Sequence, residues 1–344
     1  MGKQPSSRLI AEACGFNQST VSRALKNHPS IPAVTRERIL AVAAELGWRP
    51  NPLASAYLAQ LHAMREPEYR ATLGYLITSR DHARLPELPY YQQACWRGAQ
   101  ERAATFGYTL DPIWVNEPGM TALRLGRLLK SRGIPGLLLP GVLQPSPALA
   151  ELDWSHFASA SMGFSYRQPL HRVAFYVAHG LSLVLRRVEE LGYKRIAVII
   201  SREYDTLLNH GVLQSVYYAR HEPWGRTHLK SLVFPDTSEE ERARIMEWIR
   251  RHRPDVIVGE EFVWRALQRM NWAVPRDVAY VSLDWAPTWP GIGGVDQRHE
   301  IIGAMAVDIV ASELMQNERG LPAIPKLLLV EGIWRDDVTI PDRR

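Results

Sequence analysis

The chain has 344 residues, enough for two or three compact units at ordinary domain size, and 46% of them are hydrophobic, enough for a sizeable core. Its two cysteines, Cys14 and Cys95, stand far apart, which excludes a disulfide scaffold or a cysteine-built zinc site. No run approaches the roughly 18 apolar residues of a membrane span, and the N-terminus lacks an apolar stretch of signal-peptide length; a cytoplasmic protein without a membrane partner is expected.

The net charge of +5 is concentrated. Lys3, Arg8, Arg23, Lys26, Arg36, Arg38, Arg49 and Arg65 face only Glu12, Glu37 and Glu45 in the first 65 residues. The remaining residues carry equal numbers of acidic and basic side chains. A basic end on a neutral body suits a polyanion-binding module joined to a separate globular part. A merely solvated basic terminus would have the same charge.

Three short helices are expected at this end. The first spans about Ser7 to Cys14, capped by Ser6 or Ser7, with Leu9, Ile10 and Ala13 on one face and Gly15 as the left-handed stop. The second follows an Asn17 cap and runs to about Leu25. Val21 and Leu25 share its inner face, and Gln18, Ser19 and Arg23 face away. Their amide, hydroxyl and guanidinium groups hydrogen-bond to phosphates and base edges. The third runs from about Pro32 to Leu46, with Ile39, Val42, Ala43 and Leu46 at helical spacing, and Gly47 ends it. Ala11, Gly15 and Val21 sit at helix-turn-helix spacing. A three-helix bundle with a polar surface is the bland alternative.

From residue 71 the pattern alternates between strands and helices. Strands are expected at 71–78, "YTLDPIWV", "PGLLLPG", "HFASASMGFS", 195–200, "HLKSLVF", "PDVIVGE" and "VAYVSLD". Helices are expected at 90–107, "TALRLGRLLKSRG", about 174–191, about 206–220 and "DTSEEERARIMEWIRRH". Alternation of this kind implies parallel sheets covered on both faces, and the number of units implies two α/β lobes. The chain lacks GxGxxG after a strand, a GxxxxGK[ST] phosphate cradle and HExxH. "GIGG" (291–294) reads as a turn. Glu260 and Glu261, read as strand neighbours, point to opposite faces and cannot cooperate. No enzyme activity, cofactor or metal is expected. Solute capture for transport fits the body alone but not a DNA-binding head.

The segment "IAEACGFNQSTVSRALKNHPSIPAVTRERILAVAAELGWRPNPLAS" resembles the N-terminal domain of the lactose-repressor (LacI) family of bacterial transcription regulators. The match lies in Ala11, Gly15, Thr20-Val21-Ser22-Arg23, Asn27, Thr35-Arg36, Leu46-Gly47, Pro50-Asn51 and Ala54. The resemblance implies that Gln18, Ser19 and Arg23 read bases, and that Thr20, Ser22, Asn27 and Asn51 also contact DNA. It implies a hinge in "NPLASAYLAQL" (51–61) that inserts an apolar side chain into the minor groove. Tyr57 falls where leucine is usual and Leu58 comes one later, so either is the wedge, or both pack between hinges in a dimer.

"VPRDVAYVSLDWAP", "GGVDQRHEIIGAMAVDIVASELM" and "VEGIWRDDVTI" resemble the family's periplasmic-binding-protein-like sensor. The fold implied is α/β: a small all-α helix-turn-helix head joined to a two-lobed, doubly wound parallel-sheet body. The division expected is 1–50 for the head, 51–70 for hinge and linker and 71–344 for the body, with lobe one at about 71–165 and 295–320 and lobe two at about 166–290 and 321–344. The resemblance further implies a homodimer on a pseudo-palindromic double-stranded operator, acting as a repressor, with a small carbohydrate effector between the lobes at the strand ends. A body that only dimerises or binds a partner is the alternative.

The usual sugar-gripping arginine three residues before Gly211 is replaced by Leu208, and Tyr176 stands where an aspartate is usual. Asp284 keeps the expected type. Tyr90, Tyr91, Trp264, Trp285 and Trp289 supply rings that either hold a flat polar ligand or pack between lobes. With Arg202 and Asp205 after a strand end, and Glu261, the effector candidates are Tyr90, Tyr91, Arg202, Asp205, Glu261, Trp264, Asp284 and Trp285.

Overall fold

The computed structural model describes residues 5–25, 31–48, 69–78, 85–141, 146–222 and 229–344. Asn27, Asn51, Tyr57 and Leu58 lie outside the described residues.

The head is built from helices Ser7–Cys14, Gln18–Leu25 and Ala33–Glu45. The Ser6 hydroxyl caps the first by accepting from Leu9 N, and Gly15 ends it at φ 75°, a conformation that a Cβ disfavours. Asn17 caps the second, its Oδ1 accepting from Thr20 N at 2.7 Å. Ile10, Ala11, Cys14, Val21, Ala24, Ile31, Ile39 and Ala43 form the core. The inner faces differ slightly from the periodicity. Ile10, Ala11 and Cys14 point inward on the first helix, whereas Leu9 and Ala13 are exposed. On the second, Ala24 is buried and Leu25 only partly so, because two neighbouring helices meet it at once.

The body contains two six-stranded sheets. Strands β1 (Ala71–Ile77), β2 (Tyr108–Trp114), β3 (Gly136–Leu139), β4 (Ala158–Met162) and β5 (His171–Phe175) belong to the first. Strands β6 (Ile196–Ser201), β7 (Leu229–Phe234), β8 (Val256–Gly259), β9 (Ala279–Ser282) and β10 (Gly294–Asp296) belong to the second. Then β11 (Leu327–Val330) returns to the first sheet and β12 (Ile333–Arg335) to the second. The orders are β11-β5-β4-β3-β1-β2 and β12-β10-β9-β8-β6-β7. All pairings are parallel except β12 on β10.

The chain therefore passes between lobes after β5, after β10 and after β11. These crossings correct the expected divisions near 165, 295 and 320. β5 pairs with β4 and β11, so 171–175 lies in lobe one. β10 pairs with β9 and β12, so 294–296 lies in lobe two. The helix expected from 174 starts at Val177, after β5. The helix expected at 206–220 is two, Arg202–Leu207 and Gly211–His221, broken where Asn209 and His210 both take positive φ.

Helix His299–Gln316 leaves β10 and packs on lobe one against helix Tyr90–Thr105. A Cβ on Gly98 would fall on the Glu300 carbonyl, and one on Gly303 would fall on the Cys95 carbonyl. The two glycines let these backbones approach directly, which fixes the cleft end of both helices. Among the described residues no helix is long and apolar enough to cross a membrane.

Candidate functional site

On helix Gln18–Leu25 the inward positions Val21 and Ala24 are almost fully buried. Gln18, Ser19 and Arg23 are exposed, and Thr20 and Ser22 are half-buried. The polar groups hold one another in place. Gln18 Nε2 donates to Ser7 Oγ at 3.3 Å, and Ser19 Oγ donates to Asn17 Oδ1 at 2.8 Å. Arg23 Nε donates to the Ser19 carbonyl at 3.3 Å. Each is an exposed bond of modest net energy, so the guanidinium and amide exchange it readily for an acceptor on a ligand. Arg38 stacks over Phe16 at 5.6 Å, adding a further cation to this end of the chain.

The second site is a cleft of about 610 Å³ between the lobes. It lies at the carboxyl ends of the strands, where the direction of strand order reverses in both sheets and the loops part. Lobe one contributes Tyr90 and Tyr91 at the start of their helix, Gly141 after β3, Phe164 after β4 and Phe175 at the end of β5. Lobe two contributes Tyr204, Glu260, Glu261, Asp284 and Trp289. Gln297 and His299, on the second crossing, line it too.

Tyr91 is fixed by its hydroxyl, which donates to the Gly141 carbonyl at 3.3 Å and accepts from Gln92 Nε2 at 2.9 Å. Gln297 is buried and donates to the Tyr204 hydroxyl at 2.9 Å and the Leu283 carbonyl at 2.8 Å. This holds the Tyr204 ring against the crossing. His299 Nε2 lies 2.7 Å from Asp284 Oδ1. Burial alone would lower the His299 pKa, but the Asp284 charge and hydrogen bond win, with the Cys95 thiol adding to them, and raise it to about 10. The cleft therefore contains an imidazolium paired with a carboxylate at neutral pH.

Strand β8 stops at Gly259, so Glu260 precedes helix Glu261–Arg269 and Glu261 begins it. Both line the cleft; the expectation that they point to opposite faces of a strand fails because neither is in a strand. Burial pushes the Glu260 carboxyl pKa up, partly offset by hydrogen bonds from Ser201.

Four of the eight effector candidates, Tyr90, Tyr91, Glu261 and Asp284, come together in this cleft. The other four do not line it, and the reasons are particular. Arg202 is exposed elsewhere. Asp205 is 1% exposed and turned into its own lobe, accepting from Leu213 N at 3.1 Å and facing His210 Nδ1 at 3.2 Å. Trp264 packs on Tyr280 with ring centres 5.1 Å apart. Trp285 lies under the Arg335 guanidinium at 5.2 Å. Gln297, His299, Tyr204 and Phe164 were not singled out from sequence. A lone histidine and a lone glutamine give no local signal, and only the returning chain brings them to the cleft.

Residues 9–51 match the family model described as bacterial regulatory proteins, lacI family. The HTH-type transcriptional regulator CelR of Thermobifida fusca is 23% identical over 338 residues, covering 92% of this chain and 95% of that one. Alignments with two other curated regulators span only 35% and 13% of those proteins' own lengths. A solved CelR–cellobiose complex superposes with a TM-score of 0.59 at 19% identity, covering 97% of this chain and 99% of the other. The Lac repressor dimer bound to operator and the anti-inducer ONPF superposes with a TM-score of 0.56 at 18% identity, covering 98% and 100%. At such identities the structural likeness concerns the fold.

Proposed function

The chain belongs to the LacI family of bacterial regulatory proteins, and we propose that it is a transcription regulator that binds a pseudo-palindromic operator as a dimer and answers to a small carbohydrate effector. The observation that carries this is the face of helix Gln18–Leu25, where Gln18, Ser19 and Arg23 are exposed over buried Val21 and Ala24. Such a face presents bidentate groups to a major groove, Gln to adenine and Arg to guanine. Thr20 and Ser22 flank it and would contact phosphates, and Asn27 and Asn51 would add contacts beyond it. Tyr57 or Leu58 would supply the minor-groove wedge from the hinge at 51–70.

The neighbours support the rest by analogy. CelR was solved with cellobiose and the Lac repressor as a dimer on operator. Carried over, a sugar would occupy the inter-lobe cleft through Tyr90, Tyr91, Glu261 and Asp284, joined by Gln297 and His299. A bound effector shifts the lobes only as far as its affinities for the two states differ. Repression is the mode we favour, since two heads on one site block access to it.

The test is selection from a random duplex pool with the full chain, followed by footprinting. Two inverted half-sites should emerge, with affinity falling steeply as salt rises and changing on addition of a bound sugar. Binding without sequence preference would overturn the assignment.

A further inference from the structure

The charges lining the cleft do not balance. Among the described residues the carboxylates of Glu260, Glu261 and Asp284 line it against two cations, Arg265 and His299, while Glu87, also in the lining, has a partner of its own. Both cations already have carboxylate partners. Arg265 Nε donates to Glu261 Oε1 at 2.7 Å, and His299 meets Asp284 at 2.7 Å. Glu260 has no cationic partner among the described residues. Its Oε1 accepts the Ser201 main-chain N–H, and the neighbouring charge it feels is that of another carboxylate, Glu203.

Glu260 is also set apart by its surroundings. It is held at the end of β8 on the lobe-two wall, close enough to Tyr204 that the tyrosine responds to its charge and to that of Asp284. Glu260 is half-buried, and a carboxylate withdrawn from water with no countercharge among the described residues is disfavoured until a proton or another cation arrives. An anionic ligand would add to the imbalance. A neutral polyol would leave it as it is. A ligand ammonium would cancel it, and the Tyr204 ring beside the carboxylate favours a cation as well.

We propose that the effector carries a protonated amine on a hydroxylated ring, the chemistry of an amino sugar, and that Glu260 is the residue that selects the amine. This rests on the effector-sensing role proposed above for the cleft. The hydroxyls then fall to the Asp284–His299 pair and Gln297, and the ring face to Tyr90 and Tyr91. Specificity follows from charge, since a half-buried carboxylate that no described cation pairs disfavours the analogue that cannot neutralise it.

The experiment uses the full chain with matched probes: glucosamine, galactosamine and mannosamine, their parent hexoses, and their N-acetyl derivatives. Thermal shift and calorimetric titration at pH 7 should find one free amine binding at least about tenfold tighter than its neutral counterparts. The preference should collapse in Glu260→Gln, and it should fade in the native chain as pH rises and the amine loses its proton. Equal or tighter binding of a parent or N-acetyl sugar overturns the amine, as does a preference that survives Glu260→Gln; either result leaves the sensing role standing. No shift with any probe, together with operator affinity unchanged by all of them, overturns both.

Discussion

His299 and Asp284 join the two lobes inside the cleft, with Nε2 and Oδ1 2.7 Å apart. His299 opens the helix that packs on lobe one, and Asp284 follows β9 of lobe two. The pair also fixes how stability depends on pH. Burial opposes the charged ring, but Asp284 outweighs it and raises the His299 pKa to about 10 from an ordinary 6.5. A histidine raised in the fold stabilises it fully below pH 6.5 and loses that contribution as pH climbs through 10. The melting temperature should therefore fall between pH 7 and 10 more steeply in the native chain than in Asp284→Asn. Parallel profiles would show that the pair carries no such linkage.

A second buried pair behaves differently. His171 Nε2 lies 2.7 Å from Glu313 Oε1, while His171 Nδ1 accepts from Lys326 N at 2.9 Å. An imidazole that accepts at Nδ1 is neutral, with its proton on Nε2. Burial, aided by the nearby Lys326 charge, lowers the His171 pKa, and burial pushes Glu313 up to about 7. Nitrogen NMR should find Nδ1 of His171 without a proton at pH 7, and a doubly protonated ring there would refute the assignment. Removing the carboxylate with Glu313→Ala also strands Ser159 N, which donates to Glu313 Oε2 at 3.1 Å. Since His171 is neutral, the loss is that of buried groups left without a hydrogen-bond partner, about 1–3 kcal/mol for each, measured by denaturant unfolding.

Gly303 and Gly98 set the spacing of helices Tyr90–Thr105 and His299–Gln316. Since a Cβ at Gly303 meets the Cys95 carbonyl, Gly303→Ala must push the backbones apart. The expected cost is about 1–3 kcal/mol. Because both helices begin at the cleft, ligand affinity should weaken with it. Unfolding that matches the native chain would mean the crossing is looser than its geometry.

Arg23→Ala tests the head. Its guanidinium rests on Ser19, with Nε 3.3 Å from the carbonyl, an exposed bond that contributes little to folding. The variant should keep its melting temperature, lose about 1–3 kcal/mol of operator affinity and relax preference at one base pair. A uniform loss across all sequences would instead make Arg23 a phosphate contact.

Much of the local structure was legible because its causes are local. The Ser6 and Asn17 caps, the Gly15 turn and the apolar runs of β1, β6 and β8 each follow from residues within a few positions. β5 was not legible. Its "HRVAF" is short, starts with two polar residues and leads almost directly into a helix. It is a strand because β4 and β11 flank it, and β11 arrives from far along the chain. The candidate site divided the same way. Asp205 and Arg202 follow a strand end, as expected of ligand residues, but Asp205 turns to the Leu213 amide and the His210 ring of its own lobe. Tyr90 and Asp284 occupy equivalent kinds of position and turn toward the cleft.

By itself the sequence determined the head, its outward polar face and the two-lobed α/β character of the body, since caps, turns and periodicity act over a few residues. Only the tertiary structure decided where the chain changes lobes, which aromatic rings pack away, and that His299 and Gln297 share a cleft with Tyr90 and Tyr91. Those outcomes depend on contacts between segments far apart in the chain, where a side chain's direction is set by what it meets and not by its neighbours in sequence.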